Sequence, residues 1–234
     1  MPMQIYKIKM ALRNFFSKKS KQSPSPLFSS SLLYCGLCML ATLLFSNCRS
    51  SLALKEGDLL FHVSPEQNAI TEVTPGMIDH VAIYLGRGEV IEAVGRGVVV
   101  TPLDSLQHQD GLYLVGRTKA DIASSLSNAK RFLGRSYDWL YLADNDEIYC
   151  SELVQFSFVD KQGQPMFSPI PMSFHDSTGK ITDYWTQFYA RHDMNVPEGA
   201  PGTNPSELAQ RPAVRLLGPL KTNGRISRQM PSLR

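Results

Sequence analysis

Beyond residue 48, this 234-residue chain has a single cysteine, Cys150. The other three, Cys35, Cys38 and Cys48, lie in an apolar N-terminal stretch, so no disulfide framework staples the body. Within that stretch "CGLC" reads as small hydrophobes rather than a redox pair. Acid is missing from both ends. Residues 1–54 carry seven of the 24 Lys/Arg and residues 211–234 carry six, neither with any Asp or Glu. All 21 acids therefore fall in residues 55–210, beside 11 bases. A folded body of that sign repels phosphate backbones, which argues against a nucleic-acid partner despite a pI near 8.6. Several chemical signatures are absent as well: there is no HExxH, no Walker-type glycine loop and no GxSxG. The two "GRG" triplets, residues 86–88 and 95–97, are turns before they are phosphate cradles. His62, His108, His175 and His192 are scattered without ligand spacing, so neither metal nor organic cofactor is expected.

What is present begins with a leader. Lys7, Lys9, Arg13, Lys18, Lys19 and Lys21 precede 27 uncharged residues, 22–48, whose centre is "LLYCGLCMLATLLF". This is the layout of an export signal. Three fates are open. "SLA" at residues 51–53 offers small residues for cleavage before Leu54, "LFSNC" loosely resembles a lipoprotein processing site at Cys48, and the apolar run approaches the roughly 20 residues that span a bilayer. Each places the body outside the cytoplasm. The expected organisation is a signal or anchor at 1–53, one folded domain at 54–210, and a basic, frayed tail at 211–234.

From residue 57 the pattern becomes short strands and turns: "GDLLFHV", "HVAIYLG", "EVIEAV", "GVVVTPL" and "GLYLVGR". Their β-branched and aromatic residues predict an antiparallel meander that closes or curls. A three-to-four residue apolar period then predicts a helix over "ADIASSLSNAKRFLG". Asp144, Asn145 and Asp146 look like helix-start residues before "EIYCSELVQF". On that helix Cys150, Leu153, Val154 and Phe158 share the core-facing side. In the first turn, unsatisfied N–H groups and the positive end of the helix dipole favour a thiolate. After Gly163 the pattern weakens: "KITDYWTQFYARHD" reads as a strand or a helix, and "NVPEGAPGTNPSELAQRP" as loop.

A nucleophilic thiol needs a base, and the base usually needs a third group to hold it. Strand parity offers both. If the hairpin turn centres on Arg87, His80 stands opposite Val94, and Glu92 lies two residues away on the same face. Such diagonal neighbours sit about 7–8 Å apart at the backbone, within reach of an imidazole and a long carboxylate. Cys150, His80 and Glu92 are therefore the candidate nucleophile, base and orienting group.

The segments "GDLLF", "DHVAIYLGRGEVIEAV", "GVVV", "FLGRSYDWLY" and "IYCSELV" resemble the NlpC-type papain-like cysteine hydrolases. Here the cysteine helix follows the strands instead of preceding them, an order similar to the circularly permuted, YiiX/YebB-like branch. "GTNPSEL" at residues 202–208 is similar to a C-terminal signature of that branch. The resemblance covers about residues 55–208. It implies an α+β fold, a permuted papain-like arrangement with a curled antiparallel sheet packed against helices. It further implies Cys150 as nucleophile, His80 as general base and Glu92 in the orienting position. Tyr137 matches the family tyrosine upstream of the cysteine, a candidate oxyanion donor alongside the Cys150 backbone N–H. The implied reaction is acyl transfer to Cys150 and hydrolysis. Its substrate is either a cell-wall peptide amide or a lipid acyl ester or amide; an envelope-binding module that keeps the fold without catalysis is the alternative.

Overall fold

The computed structural model describes residues 52–106, 111–143 and 145–220. The expectations about the leader, about Asp144 and about the chain after residue 220 fall outside the described residues. The described residues from Leu54 to Leu220 cluster as one compact unit.

Its centre is a six-stranded antiparallel sheet in the order β4-β3-β2-β1-β5-β8. β1 (Leu59–Val63), β2 (Ile78–Gly86), β3 (Glu89–Val94) and β4 (Gly97–Pro102) form the expected meander. β5 (Leu112–Arg117) does not continue it but returns to the far side of β1. All five residues of β1, "LLFHV", are buried, as suits a strand flanked on both edges and covered on both faces. Leu59, Phe61, Val81, Ile83, Ile91 and Ala93 join the main core cluster, while alternate positions such as Leu60, Ala82 and Val90 are fully buried as well.

The helices that cover this sheet are short. α1 (Ala69–Val73) is capped by Asn68, and α2 (Leu103–Leu106) is a single turn after β4. α3 (Ile122–Lys130) starts at Asp121, which accepts from Ser124 N, and buries Leu126 and Ala129. α4 (Cys150–Ser157) carries Leu153 and Val154 into the core and is capped at its end by the buried Phe158. α5 (Asp183–Ala190) resolves the ambiguous "DYWTQFYA" stretch as helix. It holds a second, aromatic cluster in which Trp185 and Tyr189 pack with Met172 and Phe174.

Three expectations need correction. The helix after the acidic loop does not begin at Asn145 or Asp146; Asn145 instead accepts from Glu147 N in a local turn, and Tyr149 is the residue preceding α4. The backbone between is already committed, since Ile148 N donates to Ser136 O and Asp138 N to Ile148 O. "GAPGTNPSELAQ" is not loop alone: β7 (Pro201–Gly202) pairs with β6 (Ile170–Pro171), and α6 (Pro205–Gln210) follows an Asn204 cap. Nor does the chain fray at Arg211. β8 (Arg215–Pro219) pairs with β5 and forms an edge of the sheet. Its residues are mostly half-buried, an edge-strand pattern too weak to read beside the basic residues around it.

One glycine is required by the turn that feeds β4. Gly97 has φ +96°, and a Cβ there would run into the Arg135 carbonyl, whose oxygen accepts from Val98 N. Gly97→Ala is therefore expected to destabilise the domain by about 1–3 kcal/mol through backbone strain, read by thermal unfolding.

Candidate active site

The β2–β3 hairpin turns through Arg87, which adopts φ +53° between two glycines. Its ladder sets Tyr84 opposite Val90 and Ile83 opposite Ile91. Continued by one step, this register places Ala82 opposite Glu92, so His80 and Glu92 share a face. His80 Nε2 and Glu92 Oε2 lie 2.8 Å apart, with the Glu92 side chain 4 % exposed. Because Nε2 is taken by the carboxylate, Nδ1 is the ring nitrogen left for the sulfur. Cys150 is close enough to His80 to act on its titration.

The electrostatics follow from this chain of contacts. Burial works against a charged His80, but its hydrogen bonds to Cys150 and Glu92, and the negative charges they can carry, outweigh it and raise the imidazole to about 10. Glu92 responds in the opposite direction. Burial would raise its carboxyl, yet the hydrogen bond and charge of His80 hold it below the usual range, helped by Thr101 and Arg96. The arrangement is suited to a protonated imidazole held by an ionised Glu92.

Cys150 opens α4, with Glu152 three positions on from Tyr149 accepting from the Tyr149 N–H. The C-terminal "GTNPSEL" stretch braces this turn. Ser151 Oγ donates to Thr203 O at 3.2 Å, and Thr203 N donates to Tyr149 Oη at 3.1 Å, so both neighbours of Cys150 are tied to one residue. In the same stretch Ser206 Oγ donates to Ile78 O, two residues before His80. The motif thereby fixes the cysteine helix and the histidine strand against each other.

Tyr137 lines the same hollow as Cys150, as does Tyr141. Burial, with the nearby Cys150 charge second, holds its hydroxyl in the protonated form that can donate. The structure thus brings all four singled-out residues, Cys150, His80, Glu92 and Tyr137, to one place. It adds residues that sequence reasoning passed over. Tyr141 takes φ +52°, unusual for a bulky side chain, in a loop pinned by the buried Asp138, which accepts from Leu140 N and Leu142 N. His62 stands directly across the ladder from His80, and its Nδ1 is 2.6 Å from Asp79 Oδ1. Only the β1–β2 pairing reveals that second histidine; its lone position in "LLFHV" carries no signal.

Two adjoining hollows open on this cluster. The larger, about 420 Å³, is walled by His80 and the aromatic side chains of Trp139, Tyr141, Tyr184, Trp185 and Phe188. The smaller, about 60 Å³, is walled by Cys150, Tyr137, Met172, Phe174 and Thr203 among others. Ile70, Asp79, Tyr141 and Trp185 belong to both.

A family described as the permuted papain-like amidase enzymes, YaeF/YiiX, C92 family, matches residues 53–218. The chain belongs to this family. Membership places it among papain-like cysteine hydrolases of permuted α+β fold, and the order of strands before the cysteine helix is that permutation. The uncharacterized protein YiiX of Escherichia coli K12 is 33 % identical over 110 residues, covering 42 % of this chain and 54 % of YiiX. The chain thus spans about half the length of the curated relative it matches. A crystal structure of YiiX from Escherichia coli O157:H7 shares the fold with TM-score 0.59 at 23 % identity, covering 70 % of this chain and 97 % of that one. That structure is described as a metalloprotein. Among the described residues of the present chain, no group of three or more His, Cys, Asp and Glu is placed to hold a metal ion. His80 Nε2 is already engaged by Glu92.

Proposed function

We propose that this chain is an exported cysteine hydrolase that cleaves an amide or ester bond of the cell envelope with a Cys150–His80–Glu92 triad. The observation that carries the reading is the His80 imidazole, held 2.8 Å from the buried Glu92 carboxylate and raised in its titration by the neighbouring Cys150 as well as by Glu92. The export half of the proposal rests on the basic and then uncharged leader.

In this scheme the Cys150 thiolate attacks the substrate carbonyl, and the oxyanion is met by the Cys150 N–H at the start of α4 and by the Tyr137 hydroxyl. His80, protonated in the resting site, gives its proton to the departing nitrogen or oxygen. The acyl group then neutralises the sulfur. With that negative charge gone, two of the influences that raise His80 are lost, and the imidazole becomes the base that draws a proton from water. Glu92 stays ionised throughout and keeps Nε2 oriented. Formation of the acyl-enzyme therefore converts His80 from acid to base without any other change.

The test is acylation of the full chain by a thiol-directed acylating probe, with the labelled peptide identified by mass spectrometry. Label on the peptide containing Cys150, lost in His80→Ala, is the expected result. Label confined to the leader cysteines contradicts the proposal.

A further inference from the structure

The two hollows meet at the reacting groups but are unequal, and each is tied to a different partner in the reaction. His80 lines the larger and Cys150 the smaller. From the proposed triad chemistry, on which this depends, we infer that the site divides its substrate at the scissile bond: a short acyl group beside Cys150 and a bulky apolar leaving group beside His80.

The assignment of sides comes from bond making and breaking. The Cys150 sulfur forms the new bond to the carbonyl carbon, so the acyl group stays on the sulfur's side. The carbon–nitrogen or carbon–oxygen bond breaks with its electron pair on the heteroatom, which takes the His80 proton, so the leaving group occupies the imidazole's side. Water then adds its oxygen to the acyl carbon, its proton passes to His80, and the sulfur departs with the bonding pair.

Size and wall chemistry set the substrate class. On the same measure the Cys150 hollow, about 60 Å³, is much the narrower of the two, against about 420 Å³ on the His80 side, which favours a short acyl group over a long chain. Met172, Phe174 and Trp185 close it, and Trp185 is anchored by its Nε1–H donating to Ala69 O. Thr203 Oγ1 on this wall is buried without a hydrogen-bond partner, a polar group that a small acyl substituent can meet. The larger hollow offers stacking surfaces instead. Its carboxylate, Asp79, has both oxygens occupied, by His62 Nδ1 and by Asn68 Nδ2 at 2.6 Å each. Tyr184 and Trp139 stand at 48 % and 56 % exposure, so the aromatic wall reaches the surface where a large apolar group enters. Such walls favour an aromatic or aliphatic amine or alcohol over a highly charged peptide stem.

The experiment uses the full chain and four esters of similar intrinsic reactivity: the acetate and octanoate of ethanol, and the acetate and octanoate of 2-(2-naphthyl)ethanol. The naphthylethyl acetate is expected to be turned over best, with kcat/KM on the order of 10- to 100-fold above both its octanoate and ethyl acetate. Tyr184→Ala, at a half-exposed position, is expected to shrink the naphthyl preference while leaving the acetate-to-octanoate ratio unchanged. Met172→Ala is expected to do the reverse. Octanoates cleaved as well as acetates, or no naphthyl preference, overturn the division of the site. Labelling of Cys150 by acetyl and octanoyl thioesters separates the two levels: equal labelling overturns this inference and leaves the triad standing, whereas no labelling by either overturns both.

Discussion

Cys150→Ala is expected to reduce turnover by on the order of 10³- to 10⁶-fold while leaving the melting temperature nearly unchanged, and His80→Ala to fall in the same range. The reason is that the two side chains act as one unit. Without the sulfur there is nothing to acylate, and without the imidazole the thiolate loses its protonated partner and the leaving group its proton. Removing both together is therefore expected to be no worse than removing either, a strong departure from additivity. The folding cost is small for Cys150 because only a sulfur leaves a site that already borders a hollow. Initial rates on any substrate found to be cleaved, with circular dichroism as the control for folding, give the answer. Single variants whose effects multiply in the double variant would mean that the two residues do not share a step.

The largest stability effect is expected elsewhere, at the glycine-aspartate turn that opens β1. Asp58 is fully buried and receives both Arg117 Nε, at 2.6 Å, and Arg117 Nη2, at 2.7 Å, across 59 residues of sequence. Its backbone is tied in as well, since Tyr84 N donates to Asp58 O, and Lys55 N donates to its carboxylate. The pair thus joins the turn before β1 to the end of β5. Asp58→Ala leaves a guanidinium whose side chain is only 23 % exposed without its carboxylate, a loss of about 3–5 kcal/mol. For a domain of this size that corresponds to a fall in Tm on the order of 10 °C. Asp58→Asn keeps the shape and one acceptor and is expected to lose less. If Asp58→Ala melts with the unaltered protein, the turn is held by other contacts and the "GDL" segment has a different purpose.

The site was legible in the sequence where local rules alone determine geometry. The hairpin centre at Arg87 follows from two glycines around one residue, and it fixes the face that His80 and Glu92 share. The placement of Cys150 in the first turn of a helix follows from the apolar period of "CSELVQF". Parts that depend on long-range pairing were not legible. Nothing near His62 indicates that β1 sets it across from His80, or that Asp79 accepts from it. The residue that caps α4 was not legible, because Asn145 and Asp146 are good capping residues locally, while the hydrogen bond from Ile148 N to Ser136 O decides the boundary. β8 escaped notice because its pattern competes with the basic composition around it, and only pairing with β5 makes it a strand. "GTNPSEL" was read as a signature with no physical role; its role is to clamp Tyr149, Ser151 and Ile78 together.

Titration of the His80 ring by NMR decides whether Glu92 and Cys150 hold the imidazole in its protonated form. The His80 pKa stands above its ordinary value of 6.5, so the stabilisation from its charged form is complete below about 6.5 and is lost as pH rises through about 10. In the unaltered chain the ring is expected to stay protonated through neutral pH, and in Cys150→Ala the midpoint is expected to move clearly downward, because the influence of the sulfur is gone. A His80 ring that titrates near 6.5 in both proteins would contradict it.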